Sequence, residues 1–150
     1  MNYEIVNLEE KIVAGVSAVT NNYAPDMGAV IGGLWEKFYA GIYGAIPDKT
    51  DGKAMGIYTD YNGDEKDDYT VMVACETKAP QVPVDGVTVR RIPAGKYAKF
   101  IVRGHMVQAV ADFWQQLWTM DLPRAFSCDF EEYQDGSMDD AEIHIYIGLK

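Results

Sequence analysis

Acidic residues crowd the segment Asp129-Phe130-Glu131-Glu132-Tyr133, whose alternation reads as a strand. Side chains on a strand point alternately to its two faces, so Phe130 and Glu132 share one face and Asp129, Glu131 and Tyr133 the other. One of the two glutamates therefore points toward whatever the sheet covers. A carboxylate there can pair with a cation, or it can orient and deprotonate a water. The same spacing also suits two solvated carboxylates on an edge strand. No second acid or base stands at a fixed spacing, so paired acid-base catalysis has no support in the pattern.

The last strand alternates cleanly, with Ile143, Ile145 and Ile147 on one face and Glu142, His144 and Tyr146 on the other. The isoleucines must be core. The polar face is either solvent-exposed or the wall of a cavity, where Tyr146 would offer ring area and a hydroxyl. His144 has no metal-ligand partner at a useful spacing. Cys75 and Cys128 read as buried free thiols, and neither a metal nor another cofactor is expected. Trp35, Trp114 and Trp118 sit on helical stripes, where core packing and a pocket border are both open readings. A carboxylate among aromatic faces and without a basic group favours a lipophilic cation, through charge pairing and cation-π attraction.

Across the 150 residues, 23 acidic side chains against 13 basic ones leave a formal charge of −10, and the basic ones are scattered. Such a surface repels phosphate backbones, so no direct nucleic-acid binding is expected. The opening residues are acidic rather than basic ahead of any apolar run, and no stretch is long enough for a membrane span. A cytoplasmic setting without membrane attachment is the expectation, and one domain over 1–150 fits the length.

The elements that must position these residues repeat. Residues 11–20 read as a strand. Asp26 stands as N-cap of a helix carried by Val30, Leu34 and Phe38 to about Ala40 and stopped by Gly41 and Gly44. Ala54–Tyr61 and Tyr69–Glu76 form a hairpin around an acidic turn, and residues 77–86 read as a mid-chain linker. Val87–Ile92 and Lys96–Arg103 follow as strand segments, then a helix with Val110, Trp114, Leu117 and Trp118, and two strands, Ser127–Tyr133 and Ala141–Gly148. Tyr61 and Asp68 recur 72 residues later as Tyr133 and Asp140, and Trp35 recurs 79 later as Trp114. The expected fold is α+β: two duplicated βαββ units, about 1–76 and 87–150, packed pseudo-two-fold, with antiparallel sheets and two helices around a central ligand cleft.

Arg91-Ile92-Pro93-Ala94-Gly95-Lys96-Tyr97-Ala98-Lys99-Phe100 resembles the "iPaG-x-Ya-x-f" signature of GyrI-like, or AraC-type effector-binding, domains, a family in the SOUL-like fold group. Trp114–Trp118 with Asp121-Leu122-Pro123 resembles that family's "w-x-x-x-LP" helix end. Phe130–Tyr133 resembles its "fE-x-Y" strand, and Glu142–Ile147 its closing "eIyIPi" strand. Gly148 stands where the closing motif has Pro, and Phe126-Ser127-Cys128 replaces a more proline-rich approach to the glutamate. The resemblance implies that Glu131 is the cleft acid, accompanied by Tyr146, with Tyr97, Trp35, Trp114 and Tyr58 as further ligand-binding residues. It implies a small-molecule ligand, a lipophilic cationic or aromatic drug or effector, and a transcription-regulation setting. The alternatives it carries are a hydrolase acting on electrophilic cyclopropane-type compounds, with Glu131 activating water beside Tyr146, and a module that binds gyrase or a regulator protein. Family members are often fused behind a DNA-binding helix-turn-helix region, which this sequence lacks, so a stand-alone member is expected.

Overall fold

The computed structural model describes residues 2–63, 67–78 and 84–150. Eight strands form one continuous antiparallel sheet: β1 (Glu4–Leu8), β2 (Lys11–Thr20), β3 (Lys49–Thr59), β4 (Tyr69–Thr77), β5 (Thr88–Ile92), β6 (Gly95–Gly104), β7 (Arg124–Tyr133) and β8 (Ala141–Leu149). Their order, β1-β6-β8-β7-β3-β4-β2-β5, maps onto itself when β1 to β4 exchange with β5 to β8. The central β3–β7 pair is where the two halves meet. Each outermost strand belongs by sequence to one half and pairs with the other, β1 with β6 and β5 with β2. The sheet is therefore single, where two sheets were expected, and it curls as a half-barrel.

Helices α1 (Met27–Lys37) and α3 (Gln108–Leu117) lie on the same face of this sheet. The stripe of α1 buries Leu34 and then Phe38 against Ala14, Val16, Val71 and Val73. Asp26 occupies the cap position but makes no side-chain capping bond. Gly41 is non-helical (φ 177°, ψ −28°) and kinks the chain within the π-type turn Phe38–Ile42, after which one short turn, α2 (Tyr43–Ala45), follows. Helix α3 buries Phe113 and Leu117 against Phe100, Ile143, Ile145 and Ile147. Full burial of each such side chain contributes about 1.5–3 kcal/mol.

The other face of the sheet carries its own core, in which Val13, Met55, Met72, Tyr97, Phe130 and Tyr146 pack together. The second face of β8 is thus buried at Tyr146, which faces neither solvent nor the helices, while Glu142 and His144 on that face stay partly exposed. The expected acidic turn and linker fall partly on residues 64–66 and 79–83, outside the described residues. No helix among the described residues is long and apolar enough to cross a membrane.

Candidate functional site

Between α1 and α3 the sheet face is open, and its floor is the central β3–β7 pair. Glu131 on β7 stands opposite Gly56 on β3, and Asp129 opposite Tyr58. The glycine leaves room for the acid: a Cβ at position 56 would lie 2.8 Å from Glu131 Oε1 and push the carboxylate aside. Glu131 is 2% exposed. Its Oε2 accepts hydrogen bonds from Trp114 Nε1 at 2.7 Å and Tyr58 Oη at 3.1 Å, and its Oε1 accepts one from Tyr133 Oη at 2.9 Å. Burial pushes the carboxyl above its ordinary range while those three donors pull it back. Burial and the adjacent carboxylate raise Tyr58 and Tyr133 in turn.

The cleft above has a volume of about 280 Å³ and is bordered by Met27 and Ile31 of α1, Trp114 and Trp118 near α3, and Tyr58, Tyr61 and Tyr69 from the sheet side. Tyr58 makes edge contacts with Trp114 at 5.3 Å and Tyr69 at 5.9 Å, and Tyr69 meets Tyr61 at 5.6 Å. These rings separate the Glu131 carboxylate from the cleft space. A ligand in the cleft therefore meets aromatic faces, of which Tyr58 and Trp114 have their polar edges anchored on the buried acid.

At the Tyr61 end lies a second acid. Asp129, fully buried, accepts from Tyr61 Oη at 2.7 Å and Arg124 Nη2 at 2.7 Å through one oxygen, and from the Gly148 backbone N–H at 2.9 Å through the other. Arg124 is 9% exposed, borders the cleft, and lies under the Phe126 ring at 4.3 Å. The cleft thus has a basic group, contrary to the sequence-based expectation. Strand β7 reaches this arrangement through a bulge between Arg124 and Asp129, where Phe126 takes φ of 53°. That left-handed conformation costs a non-glycine residue about 1–2 kcal/mol. Both departures from the family pattern follow: proline could adopt no such φ at 126, and proline at 148 could not donate to Asp129.

Of the residues singled out from sequence, Glu131, Tyr58 and Trp114 are in direct contact. Trp35 is next to them, with its ring edge-on to Tyr133 at 5.3 Å, although it packs with the α1 core rather than bordering the cleft. Tyr97 and Tyr146 require correction. Tyr146 pairs across the ladder with Phe130 and stacks on it at 4.6 Å, and Tyr97 meets Phe130 edge-on at 5.8 Å. Phe130 and Glu131 point to opposite faces, so both tyrosines lie behind the sheet from the acid. Tyr133, Asp129, Tyr61, Tyr69, Arg124 and Gly56 were missed as site residues. Strand alternation already grouped Asp129 and Tyr133 with Glu131; nothing local marked Arg124.

No curated protein matches the chain. In fold it is similar to an integron cassette protein from Vibrio cholerae, with 29% identity, a TM-score of 0.81, and coverage of 99% of this chain and 95% of that one. It is also similar to SAV2435 solved with tetraphenylphosphonium, at 17% identity and a TM-score of 0.80 over 100% of this chain and 94% of that one. The EcmrR C-terminal domain is a further structural relative, at 16% identity and a TM-score of 0.65 over 100% and 99%. The family model described as integron-associated effector binding protein matches residues 4–149, and the chain belongs to that family.

Proposed function

We propose that the cleft between α1 and α3 binds lipophilic aromatic monocations, and that the protein is a binding module rather than a catalyst. The observation that carries this reading is the buried Glu131 carboxylate, held by Tyr58, Trp114 and Tyr133 beneath an aromatic cleft. Cations are drawn to ring faces, and more strongly where water is excluded. A phenol or indole that donates to a carboxylate presents a more negative face, so the acid acts on the ligand through the rings. The family's effector-binding description supports the reading, as does the tetraphenylphosphonium bound to the structural relative. The hydrolytic alternative gains nothing from the geometry: both Glu131 oxygens are already engaged by protein donors, and Tyr146 lies behind the sheet.

Calorimetric titration with tetraphenylphosphonium, followed by mass analysis of the recovered ligand, tests the proposal. Saturable binding with the compound returned unchanged is the expected result. A panel of lipophilic cations that neither bind nor raise the melting temperature would refute it.

A further inference from the structure

The groups that make the cleft polar are turned away from it. Tyr58 and Trp114 give their donors to Glu131, Tyr61 and Arg124 give theirs to Asp129, and Tyr69 donates to Asn22. Both acids are sealed, Glu131 at 2% exposure and Asp129 at 0%. Each already accepts three donors from the protein itself. The field of a carboxylate acts across a ring, whereas a hydrogen bond needs the oxygen within about 3 Å. The charge of Glu131 therefore reaches the cleft and its lone pairs do not. A cation seated on the Tyr58 and Trp114 faces is flanked by Met27 and Ile31, so its neighbours are ring carbons and aliphatic side chains. Gln115 borders the cleft from α3, and its exposure places it at the rim.

This arrangement separates two kinds of monocation that carry the same charge. A protonated amine enters with N–H donors that water had satisfied, and at the ring faces it finds no acceptor to replace that water. An unmet buried donor is costly, and more so on a charged group. A nitrogen or phosphorus bearing four carbon substituents has no N–H to leave unpaired. It lays its charge on the rings through C–H surface alone.

We propose that the cleft selects fully substituted onium ions, quaternary ammonium or phosphonium, over protonated amines of equal charge and size, because it offers an acid's charge through aromatic faces without an acceptor that an N–H can reach. This rests on the cation-binding reading of the same cleft and names the class of cation within it.

The test compares two isomers of one formula, (biphenyl-4-ylmethyl)trimethylammonium and protonated N,N-dimethyl-1-(biphenyl-4-yl)ethylamine. They differ in one methyl, moved from nitrogen to carbon, which leaves an N–H on the second. Calorimetric titration at pH 7 keeps the amine protonated. The wild-type protein should bind the quaternary isomer about tenfold more tightly, the scale of one unmet donor on a charged group. Gln115→Glu places a reachable carboxylate on the cleft wall. Both ions gain its charge but only the amine gains a hydrogen bond, so the gap should narrow. Equal affinities, or a tighter amine, overturn the selectivity and leave the cation reading standing. A gap that Gln115→Glu leaves untouched comes from shape, and overturns it as well. If neither isomer binds, the proposal falls, and titration with tetraphenylphosphonium then decides whether the cation reading falls too.

Discussion

Replacing Glu131 with Gln tests the electrostatic core of the site. Oε2 accepts from Trp114 and Tyr58 and Oε1 from Tyr133 alone. The amide can keep its oxygen on the first two and turn its nitrogen to the Tyr133 hydroxyl, which accepts as well as donates. Folding should therefore survive. The carboxylate is 2.7 Å from Trp114 Nε1, and a cation on a ring face lies within about 6 Å of the centroid, so the charges are about 7 Å apart. At an effective dielectric of about 20 their attraction is about 2 kcal/mol, or about thirtyfold in affinity. Fluorescence titration with 4-isopropyl-N,N,N-trimethylanilinium and its neutral isostere 1-tert-butyl-4-isopropylbenzene measures this term. Glu131→Gln should weaken the cation by that factor and leave the isostere unchanged. Glu132 contacts Gln134 and sits on the other face, so Glu132→Gln should alter neither. Equal effects of the two variants, or equal affinity of the two ligands for the wild type, would refute the reasoning.

Because burial raises the Glu131 carboxyl, cation affinity should fall as pH drops through a midpoint above the ordinary carboxylate range; an affinity flat from pH 4 to 8 would contradict this. Gly56→Ala places a methyl 2.8 Å from Glu131 Oε1, and it should cost about 1–3 kcal/mol in denaturant unfolding and displace the acid, weakening cation binding in titration. Tyr146→Phe should leave cation affinity unchanged within twofold, since the ring belongs to the core behind the sheet; a large loss in the same assay would return Tyr146 to the site. The two halves, β2-α1-β3-β4 and β6-α3-β7-β8, should superpose as βαββ units about a two-fold axis through the β3–β7 pair, a comparison an experimental structure can make directly.

Periodicity by itself was enough to determine most of the element order, the isoleucine face of β8 and the helical stripes around Leu34 and Leu117; it put Glu131 and Glu132 on opposite faces, and the family resemblance chose between them. These follow from local alternation and helical spacing, which hold wherever backbone geometry is regular. What faces what across the sheet was decided only by the tertiary structure. Alternation left Tyr146, on a face with Glu142 and His144, either in solvent or on a cavity wall, and the family resemblance placed it beside the acid. The ladder instead pairs it with Phe130, in a second core that exists because the sheet curls on itself. Arg124 is the sharper case. Plain alternation from Glu131 would put it on the Phe130 face, but the irregularity between Arg124 and Asp129 gives β7 five steps where β8 takes two, and the guanidinium turns to the side of Asp129. An odd number of extra residues reverses every side chain beyond it, and the left-handed Phe126 at this irregularity leaves no local mark in the sequence.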